Sequence, residues 1–350
     1  MRSPAFKNPF RPGAGHTPPY LAGRDEEIVE FDKLLEQDVI LENVILTGLR
    51  GVGKTVLLER FRPMAISAGW GWVGTDLSES ASVSEHTLAV RLLTDLSLMT
   101  SSIVLETKTI RERIGFVGTE SQTSKTLDYA TLVQLYENTP GLVADKLKQI
   151  FGIVWSLLEK SGSRGIVFAY DEAQNLSDNS KNDQYPLSIL LDVFQSIQRK
   201  NVPFMLLLTG LPTLFPQLVE ARTYAERMFR ILFLDQLDRK DSEDAILKPI
   251  EDAQCPVTFS SESVDRICEI SGGYPYFIQF ICKEVYDVFI SQSRSGKEQS
   301  VPVDAIIQKL DSDFFAGRWA RATDRQRELL SVIAKLDNSA SEFSVQEIVE

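Results

Sequence analysis

The sequence predicts an α/β protein: a parallel five-stranded sheet with helices on both faces, followed by a part that is all helix. Three observations carry this. Short apolar runs alternate with longer segments of helical periodicity as far as about residue 240, the pattern of parallel strands joined by crossover helices. A glycine-rich turn, GLRGVGKT at 48–55, joins the first apolar run to a helix. From Asp241 onward only helical patterns remain.

Residues 1–19 are rich in Pro and Gly and read as an extended arm. VILTG at 44–48 suits a strand buried on both faces, and a helix over 53–65 follows. GWGWVGTDL at 69–77 reads as the second strand. Ser82 and Glu85 form an S-x-x-E capping box before a helix carrying Leu88, Leu92, Leu93 and Leu96. GTESQTSKT at 118–126 is polar and reads as a loop inserted into the sheet part. Val143, Leu147, Ile150, Phe151, Val154 and Leu158 mark one face of a helix. GIVFAYDE at 165–172 is the third strand and ends in two acids. A helix over 187–198, a strand at 203–210 (PFMLLLTG), a helix from Pro212 and a strand at 230–234 (RILFL) complete the α/β part.

Helices are then expected at 242–253, 261–270, 275–290 and 303–315. A further unit opens near Arg318, where Thr323 and Gln326 form a capping box before QRELLSVIAKL; Ser344 and Glu347 form another. The expected organisation is an arm at 1–19, an α/β domain at 20–240, a helical lid domain at 241–316 and a partial C-terminal unit at 317–350, cut off in the middle of an element.

Composition narrows the function classes. With 350 residues, 43% apolar and 25% charged, the chain can bury a full core without staples. A net charge of −12 repels nucleic-acid phosphate, so any DNA contact needs a local basic patch. Cys255, Cys268 and Cys282 have no zinc-ligand spacing and read as thiols in a reducing compartment. His16 and His86 are too few for a metal cluster or a serine-type triad. The first residues lack the apolar stretch of a signal peptide, and no apolar run is long enough to span a bilayer. A soluble cytoplasmic protein with no membrane partner is expected.

The motif at 48–55 matches G-x-x-x-x-G-K-[ST] and sits where the chemistry needs it, between a strand and a helix. Gly48, Leu49, Arg50, Gly51, Val52, Gly53, Lys54, Thr55 and Val56 are expected to cradle phosphates. The glycines let backbone N–H groups turn inward, and the helix adds its positive end. Lys54 reaches the β- and γ-phosphates and Thr55 offers a hydroxyl to Mg²⁺. The strand ending in Asp171 and Glu172 brings carboxylates to the carboxyl edge of the sheet, where ligands bind in open α/β folds. Asp171 is expected to hold Mg²⁺ and Glu172 to orient or deprotonate the attacking water. The fold is thus expected to be a P-loop NTPase three-layer sandwich.

With these motifs in place, the chain resembles the AAA+ ATPases, in the branch of origin-recognition ATPases, the archaeal ATPase family and STAND switch NTPases. PPYLAGRDEEIVEF at 18–31 resembles the segment that packs on adenine in this branch, with Tyr20, Leu21, Gly23 and Arg24 at matching positions. IVFAYDEAQNL is similar to bacterial transposition and secretion ATPases. The resemblance places Thr209 at the sensor 1 position, near the γ-phosphate or attacking water; a strand-end threonine satisfying local backbone is the plainer alternative. SGGYPYFIQF at 271–280 resembles the lid motif G-x-P, with Gly273 and Pro275 matching and Pro275 against adenine. No lid arginine of the sensor 2 type appears there.

Arg222, Arg227 and Arg230 stand where relatives carry an arginine finger, Arg227 being preferred and surface ion pairing the alternative. The C-terminal unit resembles the first two helices of a winged helix. The resemblance implies ATP and Mg²⁺ as cofactors, and the lack of an N-K-x-D motif agrees with ATP over GTP. The implied function is Mg²⁺-dependent ATP hydrolysis driving a conformational switch, in an ATP-dependent homo-oligomer. A slowly hydrolysing ATP/ADP-gated scaffold and a DNA-binding regulator are the alternatives. A protein partner and DNA stay open as binding partners.

Overall fold

The computed structural model describes residues 7–13, 15–77, 84–114, 117–255, 258–295 and 302–336. Its strands are Asn43–Gly48 (β1), Trp70–Val73 (β2), Val104–Ile114 (β3), Val117–Thr126 (β4), Gly165–Tyr170 (β5), Phe204–Gly210 (β6) and Phe229–Leu234 (β7). Five of them form one sheet in the order β2-β5-β6-β1-β7, and every neighbouring pair is parallel. All carboxyl ends therefore lie along one edge. The glycine-rich turn after β1 and the two acids after β5 share that edge.

β1, β5 and β6 are buried along their whole length, which explains their uninterrupted apolar runs. Alternation sends Ile45, Phe168, Phe204 and Leu206 to one face. There they meet the helices Glu85–Thr100 (α3), Val143–Leu158 (α5), Pro186–Gln198 (α6) and Leu214–Ala221 (α7). Val44, Leu46, Val167, Ala169, Met205 and Leu207 face the other way, against Asp25–Leu35 (α1) and Lys54–Ser67 (α2). At the amino-terminal edge, Asn43 and Gln198 form a buried amide pair. The Asn43 carboxamide oxygen also accepts the Leu206 N–H at 2.7 Å, so a side chain extends the ladder where β1 begins.

Beyond the sheet come Arg239–Asp252 (α8), Ser261–Ser271 (α9), Pro275–Ser295 (α10) and Val303–Leu310 (α11). They enclose a second core around Ile246, Ile267, Ile278, Ile281, Val285 and Phe289. Phe10, from the N-terminal arm, is buried in that core and stacks on Phe259 with ring centroids 6.3 Å apart. After Ala316–Arg321 (α12), Asp324–Ile333 (α13) opens with the expected capping box of Thr323 and Gln326.

Several expectations change. The expected loop at 118–126 is strand β4, in antiparallel register with β3 from Val104↔Thr126 to Ile114↔Val117. This ribbon stands apart from the main sheet, so its sequence carries no apolar alternation; threonine-rich strands still favour extended backbone. The cap of α3 is Ser84 with Thr87, and Glu85 is its first residue; Ser82 lies outside the described residues. The second strand stops at Val73, and Asp76 makes only a single bridge to Asp171. A helix at Tyr129–Asn138 (α4) was not foreseen, and the helix expected over 303–315 becomes a π turn at Asp311–Phe315. Ser344 and Glu347, with most of the winged-helix-like reading, lie outside the described residues. Among the described residues, no helix is long and apolar enough to cross a membrane.

Candidate functional site

β1 ends at Gly48, where a Cβ would stand 2.3 Å from the Leu234 carbonyl oxygen; only glycine lets β7 approach this closely. The chain then turns through Gly51 and Gly53 at φ of +90° and +95°, and α2 starts at Lys54 with Gly53 as its cap. That cap has no side-chain oxygen bonded into the first turn, and the first turn carries no acid. The helix start thus presents backbone N–H donors and its positive end to an anion.

Lys54 Nζ curls back and donates to the carbonyl oxygens of Gly48 and Leu49, both at 2.9 Å. Burial holds its pKa below the ordinary lysine value, opposed by the charges of Asp171 and Glu172. One residue on, Thr55 Oγ1 donates to Asp171 Oδ2 at 2.6 Å. Asp171 is only 5% exposed. Burial raises its carboxyl above the usual range, and the bonds from Thr55 and from the Glu172 N–H at 2.8 Å pull the other way.

Glu172 adopts φ 51°, ψ 36°, a left-handed conformation that costs a non-glycine residue about 1 kcal/mol or more. Its exposed carboxylate accepts a hydrogen bond from Gln174 Nε2. Gln174 Oε1 in turn accepts the Leu211 N–H at 3.2 Å. The acid is thereby tied to the loop after β6. Thr209, near the end of β6, lies in register with Leu46 and shares the α2 side of the sheet with Met205 and Leu207. It is fully buried, and its hydroxyl has no hydrogen-bond partner among the described residues, which removes the plain reading of a threonine satisfying local backbone.

A cavity of about 420 Å³ lies above this edge, a size that suits a nucleotide-sized ligand. Residues 50–56 and Glu172 form one side; Tyr20, Leu21, Arg24 and Pro275 contribute to the other. Tyr276, in the first turn of α10, donates its N–H to the Gly51 carbonyl at 3.1 Å, so the helical part touches the phosphate-type loop directly. Arg24 is buried and donates to the carbonyls of Gly23, Val52 and Asp235 at 3.1, 3.0 and 2.7 Å. Burial lowers its pKa, opposed by Glu27, Asp241 and Asp235.

The expected residues divide accordingly. The loop, Asp171, Glu172, Thr209, Tyr20, Leu21, Arg24 and Pro275 converge on one edge of the sheet. Arg227 does not join them. It is exposed, two residues before β7, whose start pairs Phe229 with Asn43 and whose end pairs Leu234 with Gly48. Arg227 is therefore at the far end of the strand from the loop. Arg230 pairs with Glu42 at 3.4 Å, and Arg222 donates to the Ala221 carbonyl. Sequence reasoning missed Arg11 and His16 of the arm, Leu237 and Ala245, and Tyr276 and Gln279 of α10, all lining the cavity; the arm's only signal was Phe10 within a polar stretch.

Thr55 and Asp171 supply oxygen donors suited to Mg²⁺. No set of three or more His, Cys, Asp or Glu side chains among the described residues is arranged to hold a metal.

A family model described as an AAA ATPase domain matches residues 20–249. A search of curated proteins finds no match. Among solved structures, the chain is similar to the Aeropyrum pernix ORC1 protein in complex with DNA, at 14% identity and a TM-score of 0.50, covering 94% of this chain and 76% of that one. It is similar to the ADP form of the Aeropyrum pernix ORC2 protein at 12% identity and a TM-score of 0.52, over 96% and 80% of the two chains. Cdc6p from Pyrobaculum aerophilum gives 12% identity, a TM-score of 0.51 and the same coverage. At these identities the likeness is one of fold.

Proposed function

The chain belongs to the AAA ATPase domain family, and on that premise we propose that it is a Mg²⁺-dependent ATP hydrolase that uses turnover to drive a conformational switch. The observation that carries this reading is the Thr55–Asp171 hydrogen bond of 2.6 Å at the mouth of the glycine-rich loop. It joins the two halves of an ATPase site across 116 residues. Bound Mg²⁺ would neutralise phosphate charge, held by the oxygens of Thr55 and Asp171.

The remaining chemistry belongs to the chain. Loop N–H groups and the start of α2 bind phosphate, and Lys54 exchanges its two carbonyl partners for phosphate oxygens. Glu172 orients the attacking water and takes its proton, positioned through Gln174. The unpaired Thr209 hydroxyl is a ready donor to the γ-phosphate or to that water. Tyr20, Leu21 and Pro275 cover the base. The Tyr276–Gly51 contact couples the loop to the helical part, so a change in the occupant can tilt one against the other.

The position of Arg227, exposed and remote from its own loop, supports a finger acting on a second copy. Ile231 and Phe233 lie exposed on the adjacent edge strand, where a self-association surface fits. A slowly hydrolysing ATP/ADP-gated scaffold is the second reading, favoured by the lack of a lid arginine in SGGYPYFIQF at 271–280. One similar structure is of a protein in complex with DNA. DNA thus stays a candidate partner for the C-terminal unit, against the net charge of −12.

The deciding experiment is Lys54→Ala, expected to abolish ATP binding in calorimetry and phosphate release in a turnover assay while the circular dichroism spectrum is kept. A variant that binds and hydrolyses like the parent removes the assignment.

A further inference from the structure

The N-terminal arm reaches the cavity through Arg11 and His16, a segment to which the family match, beginning at residue 20, assigns nothing. It is clipped to α10 at successive points. Asn8 Nδ2 donates to the Lys283 carbonyl and to Asp287 Oδ1, both at 2.9 Å. Phe10 is buried among the helices. The backbone N–H of Arg11 donates to Gln279 Oε1 at 3.3 Å. From there the arm crosses to the phosphate loop, where a Cβ on Gly15 would stand 3.6 Å from Thr55 Cγ2. It then returns to the helical core at Ala22.

The charges around the cavity give this path a chemical meaning. The lining holds Arg11, Arg24, Arg50 and Lys54 against the single carboxylate of Glu172, within a chain of net charge −12. Arg50 and Lys54 come from the loop itself, and Arg24 is engaged by three backbone carbonyls. The helices beyond the sheet contribute Ala245, Pro275, Tyr276 and Gln279 to the lining, none of them charged. Arg11 is exposed and has no ion pair among the described residues. Its main chain, not its side chain, makes the clip to Gln279, so the guanidinium is left for another group.

We infer that Arg11 is a nucleotide-binding residue, its guanidinium pairing with the phosphates of the bound nucleotide from the helical side of the cavity. The inference rests on the proposed nucleotide site. An arm clipped to α10 brings to the cavity a positive charge that the α10 residues lining it lack, and a planar fork suits paired phosphate oxygens. Nucleotide would then bind loop, arm and helices together.

The test is the affinity for ATP of the parent, Arg11→Gln, Arg11→Lys and Lys54→Ala proteins, measured by calorimetry at low and high salt. Arg11→Gln should weaken binding about 10-fold or more, as loss of a charge-assisted bond does. Arg11→Lys should recover part of it, and the gap between parent and Arg11→Gln should narrow as salt screens the pairing. Equal affinity of Arg11→Gln and parent overturns the inference. So does a loss that lysine does not rescue and salt does not change, which would make Arg11 a packing residue of the arm. If the parent itself binds no ATP, the nucleotide reading falls first. If the parent binds and Lys54→Ala does not, that reading stands and the Arg11 result decides alone.

Discussion

Replacing Asp171 with asparagine should strengthen the empty protein and weaken the loaded one. Burial holds the Asp171 carboxyl above the usual range, so the folded state grips a proton that the unfolded chain releases. The stabilisation linked to that proton is complete below the unfolded pKa and is lost as pH rises through the folded one. At neutral pH the parent therefore carries a costly buried anion. Asparagine removes the charge and keeps both contacts, its Oδ1 accepting the Glu172 N–H and its Nδ2 donating to Thr55 Oγ1, where the carboxylate accepts at both oxygens at 2.8 and 2.6 Å. Loss of the attraction to Lys54 subtracts from the gain. The net is about 0.5–1 kcal/mol, within the range of single stabilising changes. That corresponds to roughly 2 °C in a thermal melt for a cooperative unit of this size. Saturating Mg²⁺ and ATP at a hundredfold excess over Kd should stabilise the parent by about 2.7 kcal/mol and the variant by far less. The two melting curves should thus exchange order when ligand is added. The gap between the empty proteins should also close as pH falls through the carboxylate range. An asparagine variant that melts below the parent without ligand at neutral pH, or gains as much from Mg²⁺–ATP, would refute the reasoning.

Glu172→Gln should retain ATP affinity while phosphate release falls roughly 10²-fold or more; unchanged turnover would reduce Glu172 to a strand-end acid. Asn43→Leu should cost about 3 kcal/mol in chemical denaturation, because it strands the buried Leu206 N–H and one side of Gln198. A loss under about 1 kcal/mol would show that the sheet edge relaxes around it. Arg227→Ala should lower turnover without changing ATP affinity, and mixing it with Lys54→Ala should restore activity through interfaces that hold one intact loop and one intact arginine. Mixtures as inactive as their components, with a monomer at every concentration in sedimentation, would exclude a finger acting between copies.

What the sequence determined by itself were the parts whose signal is local. The strands at Asn43–Gly48, Gly165–Tyr170 and Phe204–Gly210 are buried on both faces, and such burial writes itself into a few consecutive apolar residues. The glycine-rich loop and the box of Thr323 and Gln326 are fixed by backbone demands within a turn. The convergence of Thr55 with Asp171 could be expected because both motifs end strands that share one edge. Only the tertiary structure decided the β3–β4 ribbon, whose largely polar strands pair with each other in a sheet of their own. Only it showed the Glu172–Gln174–Leu211 link and the remoteness of Arg227, since both depend on strand order and register. The arm is the clearest case. Its proline- and glycine-rich sequence has no period to read, and its path over the cavity is set by contacts that Asn8, Phe10 and Arg11 make with residues more than 240 positions away. Periodicity records which face of an element meets the core; it holds no record of which distant segment will be laid across a site.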